Sequence, residues 1–204
     1  MPSNIQLYQG DCLEVMKNIP DKSIDLVLTD PPYGTTACKW DLVIPLEPMW
    51  KELKRITKPN SAIVLFGSQP FTSILITSNL EMYKYNWIWE KNKSTGFLNA
   101  KKQPLRSTED ICVFYSKQPV YNPQKTKGHR PVNSFYSRTA GDTTGAIGDV
   151  SGGGQTDRYP KNIIKIPVMN NDGSHGEKVH PTQKPIELME YLIKTYSNGG
   201  DVLL

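Results

Sequence analysis

The stretch SIDLVLTDPPYG, residues 23–34, decides how the rest of the chain is read. Its apolar run, Ile24 and then Leu26 to Leu28, suits a strand covered on both faces, as strands of parallel sheets are. The run ends in an acid, two prolines and a ring. In doubly wound sheets ligands sit outside the carboxyl ends of the strands, where Asp30 to Gly34 fall. Each residue there has a use if the ligand carries a planar exocyclic amine. Asp30 accepts one N–H, and the carbonyl of Pro31 accepts the other while Pro31 and Pro32 hold the backbone φ fixed. Tyr33 offers a face on which a heteroaromatic ring stacks. Two acceptors draw the nitrogen lone pair out of conjugation and aim it at an electrophile, so positioning supplies the catalysis. An ordinary Pro-Pro turn beside a buried tyrosine is the plain alternative.

Working outward, NIQLYQGDC (4–12) reads as a strand, LEVMKNIP (13–20) as a short helix stopped by Pro20, and PLEPMWKELKRIT (45–57) as a helix with one apolar face. Lys58-Pro59-Asn60 breaks that helix, and SAIVLF (61–66) is the next strand. Ser68 is placed to cap a helix that carries Pro70 in its first turn. YKYNWIWEK (83–91) and DICVFYS (110–116) read as further strands. NIIKIPV (162–168) restores order after a glycine-rich stretch, and Pro185 opens a helix that Asn198-Gly199-Gly200 ends before DVLL (201–204). The alternation predicts an α/β fold with an open, mostly parallel, doubly wound sheet.

The chain has 204 residues, 22% charged and 37% hydrophobic, and its apolar runs are too short to cross a bilayer, so no membrane partner is expected. No basic stretch followed by an apolar one at the N-terminus suggests export. Three cysteines without metal-like pairing read as reduced thiols, and His129, His175 and His180 lack ligand spacing, so no metal is expected. Charge is uneven: residues 91–161 hold twelve Lys/Arg against five Asp/Glu, while the rest holds twelve against fifteen. A polyanion partner suits the middle third, as does plain solvated surface. Residues 141–154 include six glycines, a long loop of the kind that is functional or disordered.

Asp-Pro-Pro-Tyr after an apolar strand resembles the catalytic signature of amino-group DNA methyltransferases, which use S-adenosylmethionine (SAM). GDCLEVMKNIPDKSIDLVLTDPPYG (10–34) is similar to their N-terminal block, and HPTQKPIELMEYLI (180–193) to the block that binds the methionine part of the cofactor. NWIWEKNKSTGF (86–97) and STEDICVFYSK (107–117) resemble the intervening strands. Catalytic block first and cofactor block late is the order of the permuted β class, with a Rossmann-like SAM-dependent sheet. The resemblance implies that Asp30, Pro31, Pro32 and Tyr33 form the catalytic turn. It implies cofactor contacts from Asp11, Cys12, Asp30, His180, Pro181, Thr182, Gln183 and Lys184, those before the Pro185 helix holding a carboxylate at a positive helix end. Gly10-Asp11 as a simple turn, and 180–184 as a loop with Lys184 in solvent, remain the bland readings. FGSQPF (66–71) lines the base pocket or merely starts a helix.

A target amine must leave its duplex to reach Asp30, so base flipping and a double-stranded DNA partner follow. Lys91, Lys93, Lys101, Lys102, Arg106, Lys125, Lys127, Arg130 and Arg138 are then the candidates for phosphate contacts. The expected organisation is a catalytic part at 1–116, a target-recognition insert at 117–161 and a return to the methyltransferase domain at 162–204. Asp at position 30 favours adenine N6 over cytosine N4 by family habit, although both amines present the same two hydrogens. The family's glycine-rich cofactor turn is expected to follow DVLL, so the sheet reads as incomplete at the C-terminus and the 204 residues as a fragment of impaired activity. A homodimer, a cognate restriction endonuclease in the same system and a cytoplasmic, bacterial or phage-encoded setting complete the expectation. A DNA-binding remnant without catalysis and a protein-glutamine methyltransferase are the rival readings.

Overall fold

A computed structural model describes residues 5–36, 38–132, 134–136, 150–169, 180 and 182–204. The chain divides into two compact units, one formed by residues 1–122 and 162–204, the other by 123–161. The second unit begins at Pro123, and Asn122 before it is stitched to the C-terminal helix of the first. Its backbone N–H donates to Thr195 (2.8 Å) and its side-chain amide to the Ser197 carbonyl (3.0 Å).

The first unit holds α1 (Cys12–Met16), β1 (Ile24–Thr29), α2 (Leu46–Ile56), β2 (Thr57–Gly67), α3 (Phe71–Thr77), β3 (Tyr83–Thr95) and β4 (Arg106–Phe114). β5 (Ser134–Tyr136) and β6 (Val150–Gly152) belong to the second unit, and β7 (Ile163–Lys165) and α4 (Ile186–Tyr196) return to the first. The main sheet runs β1-β2-β4-β3-β7. β1–β2 and β3–β7 are parallel, while β4 lies antiparallel to both of its neighbours. The expected α/β sheet is present and mostly parallel: β1, β2, β3 and β7 run in one direction and β4 alone is reversed. The reason is local: β3 reaches β4 through residues 96–105, which hold a single 3-10 turn and no crossover helix. Leu203 adds a parallel bridge beside Leu26.

Alternation along each strand divides the core into two layers. Ile63, Leu65, Cys112 and Phe114 join Met49, Trp50, Leu53, Phe71 and Leu75 of α2 and α3 on one face. Ala62, Val64, Phe66, Ile111 and Val113 join Leu188, Leu192 and Tyr196 of α4 on the other. Helices on both faces are what makes Leu26 to Leu28 of β1 and Ala62 to Phe66 of β2 continuous apolar runs. Below the sheet, Tyr196 accepts the Trp87 indole N–H (2.6 Å) and pairs with the Tyr85 hydroxyl (2.9 Å), a buried polar cluster.

Three local expectations differ from the structure. Residues 5–9 form no strand, and Ile5, Leu7 and Tyr8 are exposed. Lys58 to Asn60 lie within β2, where the ladder shifts between the Ile24–Thr57 and Leu26–Ala62 pairs. Ser68 does not cap α3; Pro70 occupies that position and no side chain bonds the first turn.

The second unit pairs β5 with β6 in antiparallel fashion, and a Thr126–Arg158 bridge lies outside them. Lys125 pairs with Asp157 (2.9 Å) and stands 4.3 Å from the Tyr159 ring centroid.

Candidate active site

Beyond the carboxyl end of β1 lies a cavity of about 590 Å³. Asp30 to Tyr33 form one wall. Trp89, Lys91, Lys93 and Thr95 form another, one face of β3 read at every second residue. Glu109 of β4, Thr182, Gln183 and Lys184 before α4, and Trp40 and His180 also line it. Trp40 meets His180 edge to face at 5.9 Å and is 55% exposed.

The turn after β1 is fixed by a residue that the motif does not contain. Asp41 is 5% exposed, and its two carboxylate oxygens accept the backbone N–H groups of Tyr33 (2.8 Å), Gly34 (2.9 Å), Thr35 (2.9 Å) and Thr36 (2.7 Å). Burial opposes ionisation of Asp41, but the donors from Thr36, Gly34 and Tyr33 prevail and hold its carboxyl below the usual aspartate range. Gly34 turns the chain at φ +66°, and a Cβ there would lie 2.8 Å from Val43.

Within that turn, the Tyr33 hydroxyl donates to Asp30 (2.5 Å), and its ring stacks on Phe71 with centroids 5.2 Å apart. Burial and the Asp30 charge push the phenol far above its ordinary range, so Tyr33 is a donor at every working pH. Pro31 is buried and Pro32 half-buried. Of FGSQPF, Phe71 supports Tyr33, and none of the six residues lines the cavity.

Lys184 is not in solvent. Its side chain is 11% exposed, and its ammonium lies 3.0 Å from Asp30 and 2.9 Å from Glu109. Glu109 is held on its other oxygen by Lys91 (3.0 Å), whose side chain is 7% exposed. Burial works against the Glu109 charge, yet Lys184 and Lys91 together hold its carboxyl below the usual glutamate range. Lys91, expected at the phosphates, is therefore committed inside the cavity, because Glu109 leaves it a partner there. Lys93 and Arg106 are exposed in the first unit, and Lys125, Lys127 and Arg130 in the second.

Asp11 and Cys12 do not line this cavity. Asp11 stands at the start of α1 with a carboxylate oxygen on the Leu13 N–H (2.8 Å). Pro181, His175 and Arg138 lie outside the described residues. Sequence reading missed Asp41, Glu109 and Trp89. The period-two set Trp89, Lys91, Lys93, Thr95 was the available signal for one wall; Asp41 carried none, being one acid in an irregular loop.

Type II methyltransferase M.HpaI of Haemophilus parainfluenzae is 26% identical over 98% of this chain, which spans 62% of that protein's length. M1.MboII of Moraxella bovis is 25% identical over 98% of the chain and 82% of that protein. Among solved structures, the cytosine-N4-specific PvuII DNA methyltransferase superposes with a TM-score of 0.64 at 15% identity, covering 96% of this chain and 71% of that one. The M1.HpyAVI–SAM complex gives 0.57 at 23% identity, covering 97% and 80%. The DNA methylase family model matches residues 24–204, from the first residue of β1 through the Asp30–Gly34 turn, the Glu109 strand and α4. The chain belongs to the N6/N4 amino-group DNA methylases.

Proposed function

We propose that this chain transfers a methyl group from SAM to the N6 amine of an adenine swung out of double-stranded DNA. The observation that carries the reading is the cavity at the carboxyl end of β1, with the Asp30 carboxylate on its wall beside Tyr33 and Pro31. Asp30 accepts one hydrogen of the target amine and the Pro31 carbonyl the other. The Tyr33 hydroxyl orients the carboxylate, and Asp41 holds the whole turn by four backbone bonds. Trp40 at the cavity wall offers an exposed ring for the incoming base, since Phe71 covers one face of Tyr33.

The residues present fit the methionine part of the cofactor. No side chain caps the first turn of α4, and His180, Thr182 and Gln183 lie in the chain just before it, on the cavity wall. A carboxylate is favoured at such a helix start. His180 Nδ1 pairs with the Thr182 hydroxyl at 3.0 Å, which sets the loop's shape. Pro181 and Gln183 belong to the same loop by sequence, and Asp11 and Cys12 are assigned to the adenine of the cofactor. When bound, SAM supplies the electrophilic methyl carbon on its sulfonium.

Duplex DNA is the proposed partner. Lys93 and Arg106 beside the cavity and Lys125, Lys127 and Arg130 in the other unit would take phosphates, with Arg138 assigned on sequence alone. A homodimer, a cognate restriction endonuclease and a cytoplasmic setting belong to the same proposal. Tritiated SAM with unmethylated bacteriophage DNA, followed by digestion to nucleosides, is the test. Label in N6-methyl-2′-deoxyadenosine is the expected result. Label in N4-methyl-2′-deoxycytidine overturns the choice of base, and no label in any nucleoside overturns the activity.

A further inference from the structure

Each oxygen of the Asp30 carboxylate already holds a donor in this structure, so an incoming amine must share an oxygen or displace one of them. Tyr33 donates from within the turn, at 2.5 Å, and the Lys184 ammonium donates from across the cavity, at 3.0 Å. The two partners differ in kind. Tyr33 is part of the turn itself. Lys184 has a second carboxylate, Glu109, at 2.9 Å, and that carboxylate is itself anchored by Lys91 at 3.0 Å. The ammonium also stands among rings, 5.0 Å from the centroid of Phe66, 5.7 Å from Tyr33 and 5.9 Å from Trp89.

We propose that the Lys184 ammonium is a stand-in for the target amine: it occupies Asp30 until the base arrives and then withdraws onto Glu109. This rests on the methyl-transfer reading of the cavity and deepens it. The chemistry of the position argues for it. An ammonium and an exocyclic –NH2 are both N–H donors, and here the donor lies beside Asp30 and near the Tyr33 ring, where the amine is placed by the proposed function. Without the ammonium, two carboxylates would face one cavity, and like charges disfavour joint ionisation. An ammonium has three donors, so leaving Asp30 does not strand it, because Glu109 keeps its bond. A fixed structural ion pair would need only one acid. Two acids with one shared cation, the second secured by Lys91, give the cation a place to go. Lys184 and Glu109 are thus positioning residues, acting through Asp30.

The predicted effects have opposite signs. If Asp30 is occupied in about nine molecules of ten, freeing it tightens apparent substrate binding about tenfold. Lys184→Met keeps the apolar stem and removes the charge, so KM for unmethylated bacteriophage DNA should fall about tenfold. Glu109→Gln removes the charged refuge, so Lys184 stays on Asp30, and KM for DNA should rise several-fold with equilibrium SAM binding unchanged. The double variant should behave as Lys184→Met does, since without the ammonium Glu109 has nothing to receive. A raised KM in Lys184→Met, or a double variant in which two losses add, would overturn the proposal and leave a structural ion pair or a cofactor ligand. Should Lys184→Met not fold, Glu109→Gln decides: an unchanged or lowered KM for DNA overturns it. A wild-type protein that methylates no DNA overturns the reading on which this rests, and the proposal with it; methylation with the wrong sign in the variants overturns the proposal alone.

Discussion

Replacing Asp41 by Asn tests whether the Asp30–Gly34 turn is held from outside the motif. Asp41 accepts four backbone N–H groups, two on each oxygen. Asparagine keeps one oxygen and turns an NH2 toward the other two donors, so two charge-assisted bonds are lost at a site only 5% exposed. At about 1.5–3 kcal/mol for each bond to a charged group, the loss is about 3–6 kcal/mol. With a urea m-value of about 2 kcal/mol/M, the unfolding midpoint should fall by about 1.5–3 M. The pH dependence has a definite sign. Folding lowers the Asp41 pKa, so on acidification the unfolded chain takes up the proton first. The stabilisation is full above the unfolded value of about 3.9 and is lost as pH falls through the folded value. The gap between wild type and Asp41→Asn should therefore be widest near neutrality and close below about pH 3.9. Methyl transfer should drop about hundredfold even in the folded fraction, because Asp30 and the Pro31 carbonyl shift with the loop. Urea titrations at pH 7 and pH 3.5, with Lys39→Ala as an exposed neighbour for comparison, give the answer. A midpoint unchanged at pH 7, or a gap that widens in acid, refutes the reasoning.

Asp30→Asn should cut methyl transfer about 10²–10³-fold with SAM affinity measured by equilibrium dialysis little changed, since an amide turns a donor toward an amine. Tyr196→Phe removes the acceptor of the Trp87 indole N–H and the partner of Tyr85, and should cost about 1–3 kcal/mol in urea unfolding while leaving KM for DNA unchanged. Glu109 is also held below its ordinary pKa in the fold, so its contribution stands above pH of about 4.3 and fades below it; melting curves of Glu109→Gln and wild type should converge in acid. Arg106→Ala or Lys127→Ala should each reduce the slope of log K against log salt for duplex DNA by about one, read by fluorescence anisotropy from 50 to 200 mM salt.

The chain displays its fold openly where burial is two-sided and hides it where it is not. Leu26, Val27 and the run from Ala62 to Phe66 are apolar because helices cover both faces, so periodicity and composition reveal them. The direction of β4 leaves no such trace, since an antiparallel strand buried on both faces reads like a parallel one. The apolar pattern of residues 5–9 suggests a strand, but a strand exists only through its neighbour, and in this structure those residues pair with none. The site follows the same division. Asp30 to Tyr33 are legible because the chemistry is concentrated in four consecutive residues. The charges that govern Asp30 come from positions 91, 109 and 184, and only folding brings them together. Counting lysines from 91 to 161 as one basic surface was therefore too coarse. Lys91 is spent on Glu109 inside the cavity, and Lys125 on Asp157. Net charge is an additive property of sequence, whereas the charge left free to meet a phosphate depends on which acids the fold places within reach. A surface lysine pair contributes little and yields readily to DNA, but a buried one such as Lys91–Glu109 does not. Arg106 and Lys127 are therefore better places than Lys91 to look for loss of DNA affinity.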